Sequence, residues 1–107
     1  MSKPLKVQIV EKARALIEDE SRWCRGELAR DADGLSVDAT SSSAIRRCAL
    51  GALVSAAYQL TNDRWQAYDL AINALRPMHT SATIIYINDV RGHLAVLALH
   101  DDAMAIM

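Results

Sequence analysis

Residues 40–60, TSSSAIRRCALGALVSAAYQL, run almost entirely through small and apolar side chains, with no charge after Arg47. At helical period Ile45, Cys48, Ala49, Ala52, Leu53, Ala56 and Leu60 form one stripe, and Leu50, Val54 and Ala57 widen it. A helix apolar over so wide an arc has to be covered on most sides. The pattern therefore predicts a central, buried helix, opened by a serine cap at 41–43. Gly51 and Ser55, one turn apart, leave a patch without bulk. A glycine inside a helix costs about 1 kcal/mol relative to alanine, so close approach of another element is the physical reason for keeping it.

The rest of the chain supplies the cover. A first helix is expected from Pro4 to Glu20, with Ile9, Ala13, Leu16 and Ile17 on one face and Pro4 in the first turn. The acidic cluster Glu18-Asp19-Glu20 opposes the helix dipole and argues for a stop there. In GELARDADGLSVD, Ala32-Asp33-Gly34 fits a three-residue hairpin loop, which pairs Asp31 with Leu35 and Ala29 with Val37. Asn62 or Asp63 caps a third helix to Leu75, with Trp65, Tyr68, Ile72 and Leu75 on its apolar side, and Arg76-Pro77 ends it. SATIIYIND is rich in β-branched residues but has no evident partner strand. A short helix capped by Thr80 or Ser81 is the preferred reading. HLAVLALHDDAMAIM reads as a last helix, apolar nearly all round, with a tail (Met104–Met107) that is either buried or a self-association surface. The expected fold is mainly α: one domain over residues 1–107, four to five helices, and a small β-hairpin or ordered loop between the first two.

Composition agrees with a packed core. Hydrophobic residues make up 51% and charged residues 23% of 107, and the absence of phenylalanine leaves the core to aliphatic side chains. A formal net charge of -1 argues against nucleic acid or an acidic membrane as partner. No apolar run approaches the roughly 18 residues of a membrane span, and MSKPLKVQIVEKAR lacks the apolar core of a signal peptide. Cys24 and Cys48 are therefore expected as reduced thiols of a cytoplasmic protein, with a Cys24–Cys48 bridge as the lesser alternative.

Several polar groups invite a chemical reading. Catalytic thiols sit near helix N-termini beside a base. A helix starting at Ser41–Ser43 would put Cys48 one to two turns inside it, where a buried, protonated, inert thiol is expected. Cys24, Cys48, His79, His93 and His100 show no metal-binding spacing, so neither metal nor cofactor is expected. Asp89 and His93 could meet as acid and base, with Asn88 as an oxyanion donor. The plainer reading has Asn88 and Asp89 capping the last helix and bonding a loop. Arg22, Arg25, Arg46 and Arg47 could converge on a carboxylate or phosphate, against which stands a solvated face or pairing with Glu18, Asp19, Glu20, Asp31 and Asp33. Trp23 reads as a plug under the hairpin whose indole N–H needs a buried acceptor, Asp89 or Asn88.

Trp23, Gly26, Ala29, Asp31, Gly34, Ala44, Cys48-Ala49-Leu50-Gly51-Ala52-Leu53, Asn88-Asp89, Val96-Leu97 and Ala103 together resemble a family of short bacterial and phage proteins grouped only as a domain of unknown function. The resemblance spans about residues 13–103. It implies a small standalone helical domain in the cytoplasm and brings no activity with it. In that pattern an aromatic precedes Asn-Asp and a threonine soon follows; here Ile87 precedes and Gly92-His93 follow, which leaves the start of the last helix open. The functional expectation is a non-enzymatic binding or interaction module, with Trp23, Asp31, Asn88 and Asp89 as binding residues and no catalytic residue. Its partner would be a second copy or another protein. The alternative is a small hydrolase or transferase using Cys48 or Asp89 with His93. An enzyme needs His93 or His100 within hydrogen-bond reach of Cys48 or a carboxylate; an interaction module needs an exposed apolar patch.

Overall fold

The computed structural model describes residues 3–76 and 78–107. Five helices carry the chain: α1 (Leu5–Ile17), α2 (Ala49–Thr61), α3 (Arg64–Asn73), α4 (Ser81–Tyr86) and α5 (His93–Ile106). A 3-10 turn, Glu20–Arg22, follows α1, and a π-turn, Ile87–Arg91, joins α4 to α5. Two short antiparallel strands, β1 (Ala29–Arg30) and β2 (Arg46–Arg47), lie between α1 and α2. The fold is mainly α, as the periodicity predicts.

Helix α2 is the centre. Its residues from Ala49 to Ala57 are all buried, and α1, α3 and α4 pack around it. Helix α1 presents Ile9, Val10, Ala13 and Ile17 to α2 and also packs on α5. The patch at Gly51 is used as expected: a Cβ there would overlap the Leu28 carbonyl oxygen, so only glycine lets the β1 end of the chain rest on the helix. Ser55 has a polar task instead, donating to the Ala39 carbonyl at 2.5 Å and accepting from Arg47 Nε at 2.7 Å.

Helix α2 begins at Ala49 rather than at the serines. Residues 45–48 have non-local backbone partners: Ile45 N–H donates to Arg30 O (2.9 Å), Cys48 N–H to Leu28 O (3.1 Å), and Arg47 O accepts from Cys24 N–H (3.2 Å). Those bonds hold the segment extended, and Ile45 is partly exposed instead of joining the stripe. The serines form a turn of their own, with Ser43 N–H donating to Ser41 Oγ at 3.2 Å.

The tight turn after β1 follows the expected pairing. Asp31 N–H donates to Leu35 O, Val37 N–H donates to Ala29 O, and Gly34 takes φ +82°. The ladder partner of β1 is nevertheless β2, with Ala29 opposite Arg47 and Arg30 opposite Arg46.

Helix α1 stops at Ile17, short of Glu20, and Asp19 starts the 3-10 turn by accepting from Ser21 N–H at 2.9 Å. Pro4 stands just ahead of α1 as its N-cap rather than in its first turn. Asp63 caps α3 through Gln66 N–H and Thr80 caps α4 through Thr83 N–H, so residues 81–86 are helix. The buried side of α3 is Ala67 and Ala71, continued by Ala74 and Leu75, whereas Trp65 is 80% exposed. Close packing of α3 on the alanine-rich α2 fully buries only its alanines, with Tyr68 and Leu70 at the margin, and the tryptophan turns out beneath Arg64. The expected stop at Arg76-Pro77 reaches Pro77, which lies outside the described residues.

Candidate functional site

The polar residues singled out by the sequence meet where the chain after α1, the start of α2 and the π-turn come together. Trp23 follows the 3-10 turn, and its indole N–H donates to Asn88 Oδ1 at 2.6 Å, the partner expected for it. Asn88 is fully buried. The same Oδ1 accepts the Ala49 N–H at 2.8 Å, one of the free donors of the first turn of α2. Its Nδ2 donates to Cys24 O and to Asp89 Oδ1, both at 3.0 Å. All the hydrogen-bonding capacity of the amide is used, and only this orientation works: a flipped amide would press NH2 against two N–H donors.

Asp89, half-buried, also accepts from Gly26 N–H at 3.1 Å. Asn88 and Asp89 therefore do not cap α5, whose N-cap is Gly92 with no side-chain bond. Asn88 instead serves α2, thirty-nine residues earlier in the chain. The π-turn makes this reach possible, because its wider ring (Gly92 N–H to Ile87 O, 3.3 Å) turns both side chains out of α-helical register. Gly92 then takes φ +94°, closed to most L side chains.

Cys48 is not inside the helix as expected but is its N-cap, with Sγ accepting from Gly51 N–H at 3.3 Å. A helix N-terminus favours a thiolate, yet burial dominates and pushes the Cys48 thiol up to about 11. Burial raises the Cys24 thiol as well, and both cysteines are free. A hollow of about 220 Å³ lies beside Cys48, lined by Gly26, Glu27, Leu28, Ile85 and Asp89, with no histidine or cation in its wall.

His93 does not meet Asp89. Its ring lies 5.5 Å from that of Trp23, tilted at 53°, and its Nε2–H donates to Ile17 O at 2.6 Å, tying α5 to the end of α1. Arg25 covers the indole, with its guanidinium carbon 5.1 Å from the ring centroid. His100 is fully buried; Nδ1–H donates to Val96 O at 2.8 Å and Nε2 has no partner. Burial pushes its pKa below the ordinary histidine value.

Asp31 stands apart from this cluster. Its Oδ1 accepts from Asp33 and Leu35 N–H at 2.9 and 3.0 Å, stapling the turn after β1. Trp23, Asn88 and Asp89 are thus brought together and Asp31 is not. Among the described residues, no three of His, Cys, Asp or Glu are grouped to hold a metal ion.

One further polar centre escaped the sequence reading, and a second involves arginines that it singled out. Asp38 accepts from Thr40 N–H and Oγ1, Tyr68 Oη and Arg64 Nη2, joining the β1–β2 connection to α3. The local Asp-x-Thr spacing announces the first two bonds; nothing local announces the others. The second is a groove bordered by Arg22, Arg46 and Arg47. Of the acids expected to neutralise the arginines, Glu18 pairs with Arg14 at 3.0 Å, and Asp19 and Asp31 accept from backbone amides.

Searches of curated proteins and of solved structures find no match to this chain. A family model described as "Family of unknown function (DUF6197)" matches residues 1–106. Covering nearly the whole chain, including the Trp23, Cys48 and Asn88-Asp89 positions, this match shows that the protein belongs to that family of unknown function.

Proposed function

We propose that this protein is a non-enzymatic interaction module, a single domain over residues 1–107 of a bacterial or phage cytoplasm, that pairs with a second copy of itself. The observation that carries the reading is the outward side of α4, the π-turn and α5. Tyr86, Val90 and Leu94, spaced four residues apart, are 54%, 61% and 80% exposed. Scattered apolar residues are ordinary on a surface, but three large ones along one continuous stretch favour a contact surface.

A second copy suits this surface. The net charge of -1 offers little repulsion between copies. The adjoining hollow of about 360 Å³ has both Arg91 and Asp102 in its wall, and neither is ion-paired within the chain among the described residues. In a twofold pair such opposite charges can meet reciprocally. The groups an enzyme would need support the same reading, since His93 is bonded to Ile17 O, the Cys48 thiol is pushed up to about 11 and Asp89 holds Gly26. In this reading Trp23, Asn88 and Asp89 act as the lock that holds the α4–α5 face outward, and the two free, buried thiols suit a reducing compartment.

Sedimentation equilibrium over a concentration series tests it. The expected result is a concentration-dependent dimer that Leu94→Glu and Val90→Glu abolish while monomer melting midpoints stay within a few degrees. A wild-type protein that stays monomeric throughout, or variants that dimerise like the wild type, would overturn it.

A further inference from the structure

We propose that the groove between the 3-10 turn Glu20–Arg22 and residues 44–47 binds a phosphate monoester of a small hydroxylated molecule, its phosphate held by Arg22, Arg46 and Arg47. This site is separate from the self-association reading and does not depend on it.

The groove measures about 410 Å³ and is walled by Leu16, Ser21, Arg22, Ala44, Ile45, Arg46 and Arg47. No carboxylate lines it, and none of the three arginines forms an ion pair among the described residues. Half-buried Arg47 is the anchor. Its Nε donates to Ser55 Oγ at 2.7 Å and its Nη2 to Ala44 O at 3.2 Å, which fixes the planar fork on the wall of α2. Among the described residues its other N–H groups have no acceptor, so a fixed set of donors stands ready for an oxyanion. Burial, and then the positive charge of Arg22, both press against the Arg47 cation.

Arg22 presses on the half-buried Arg47 guanidinium and Arg46 borders the same groove, with no carboxylate in its wall, so a bound anion would relieve the repulsion. Asp19 feels the charge of Arg22 but spends its Oδ1 on Ser21 and lies outside the wall. Three guanidinium groups match the several acceptors and the double charge of a phosphate better than one carboxylate.

The remainder of the ligand follows from the neighbours. Leu16, Ala44 and Ile45 give the groove an apolar side for carbon atoms. Arg47 also borders a second hollow, of about 330 Å³, whose wall includes Ser42 and Gln59, beside Thr40 and Ser41, whose hydroxyls bond to Asp38 and Ser43. Hydroxyl and amide groups beyond the phosphate clamp favour a polyol such as a sugar. A long nucleic acid is disfavoured by Glu18, Asp19 and Glu20 next to the groove and by the net charge of -1.

Isothermal titration of the full chain at fixed ionic strength tests the proposal with ribose 5-phosphate, inorganic phosphate, ribose and a single-stranded oligonucleotide. Ribose 5-phosphate should bind tightest, inorganic phosphate more weakly, and ribose not measurably. Arg22→Gln and Arg46→Gln, both exposed and free of structural bonds, should each weaken binding by about tenfold with unchanged melting midpoints. Arg47→Lys, which keeps the charge but not the fork, should weaken it comparably. No binding, equal affinity for inorganic phosphate, tightest binding of the oligonucleotide, or wild-type affinity in the Arg22 and Arg46 variants would each overturn it. Sedimentation leaves this result untouched, so the two proposals fail separately.

Discussion

Asn88 takes part in four bonds that join three segments distant in sequence. Asn88→Ala would strand the Trp23 indole N–H, the Ala49 N–H and the Cys24 carbonyl together, at a cost of about 3–5 kcal/mol. Trp23→Phe removes one of those bonds and keeps most of the ring, so about 1–2 kcal/mol is expected. Urea denaturation followed by circular dichroism ranks the two; equal losses would remove Asn88 as the hub. His100 makes a prediction in pH. Burial, the first cause, holds its folded pKa below 6.5, so the unfolded chain binds the extra proton more readily. The stability it contributes is complete above pH 6.5 and is lost as pH falls towards the folded pKa, at no more than about 1.4 kcal/mol per pH unit. Arg14 reinforces this direction, while the Val96 carbonyl and Asp101 oppose it. Melting midpoints from pH 7.5 to 5 should fall less steeply in His100→Leu than in the wild type; parallel curves would assign the acid sensitivity elsewhere.

Among the elements, α2 sets the terms for the others. Gly51→Ala should gain about 1 kcal/mol of helix propensity yet lose more, because the new Cβ overlaps the Leu28 carbonyl oxygen and forces β1 off the helix. A net loss of about 2–4 kcal/mol is expected from thermal denaturation; a gain would mean that β1 can shift freely. The element boundaries also show what was legible. Asp63 and Thr80 cap α3 and α4 through side chains acting three residues away, a signal that lies wholly in the local sequence. The serines at 41–43 carry the same signal and do not open α2. Residues 45–48 bond instead to Cys24, Leu28 and Arg30, and no local reading contains those partners. The tryptophan in α3 misleads for a related reason: the periodic face was read by size, but a helix packed this closely on α2 buries its alanines.

At the scale of the whole molecule, two surfaces outside the core matter most: the apolar stretch Tyr86, Val90 and Leu94, and the arginine groove. Both proposals rest on them, while the residues that most resemble chemistry in the sequence are bound into the interior. Trp23's need for a buried acceptor was readable because an indole N–H must be paired wherever it is buried, and Asn88 proved to be that acceptor. The burial of Cys48 was also anticipated, though it caps α2 rather than lying within it, and desolvation outweighs the helix terminus. The sequence by itself determined a mainly helical fold of four to five helices, a buried α2, the turn at Gly34 and, to within one residue, the caps of α3 and α4. Each depends on side-chain period or on hydrogen bonds within a few residues. Only the tertiary structure decided where α2 begins, that Asn88 bonds the first turn of α2 and does not cap α5, that His93 turns to Ile17, and that Arg22, Arg46 and Arg47 border one groove with no carboxylate in its wall. Those outcomes depend on groups dozens of residues apart competing for the same donors and acceptors, and the winner is known only once the chain has closed around its core.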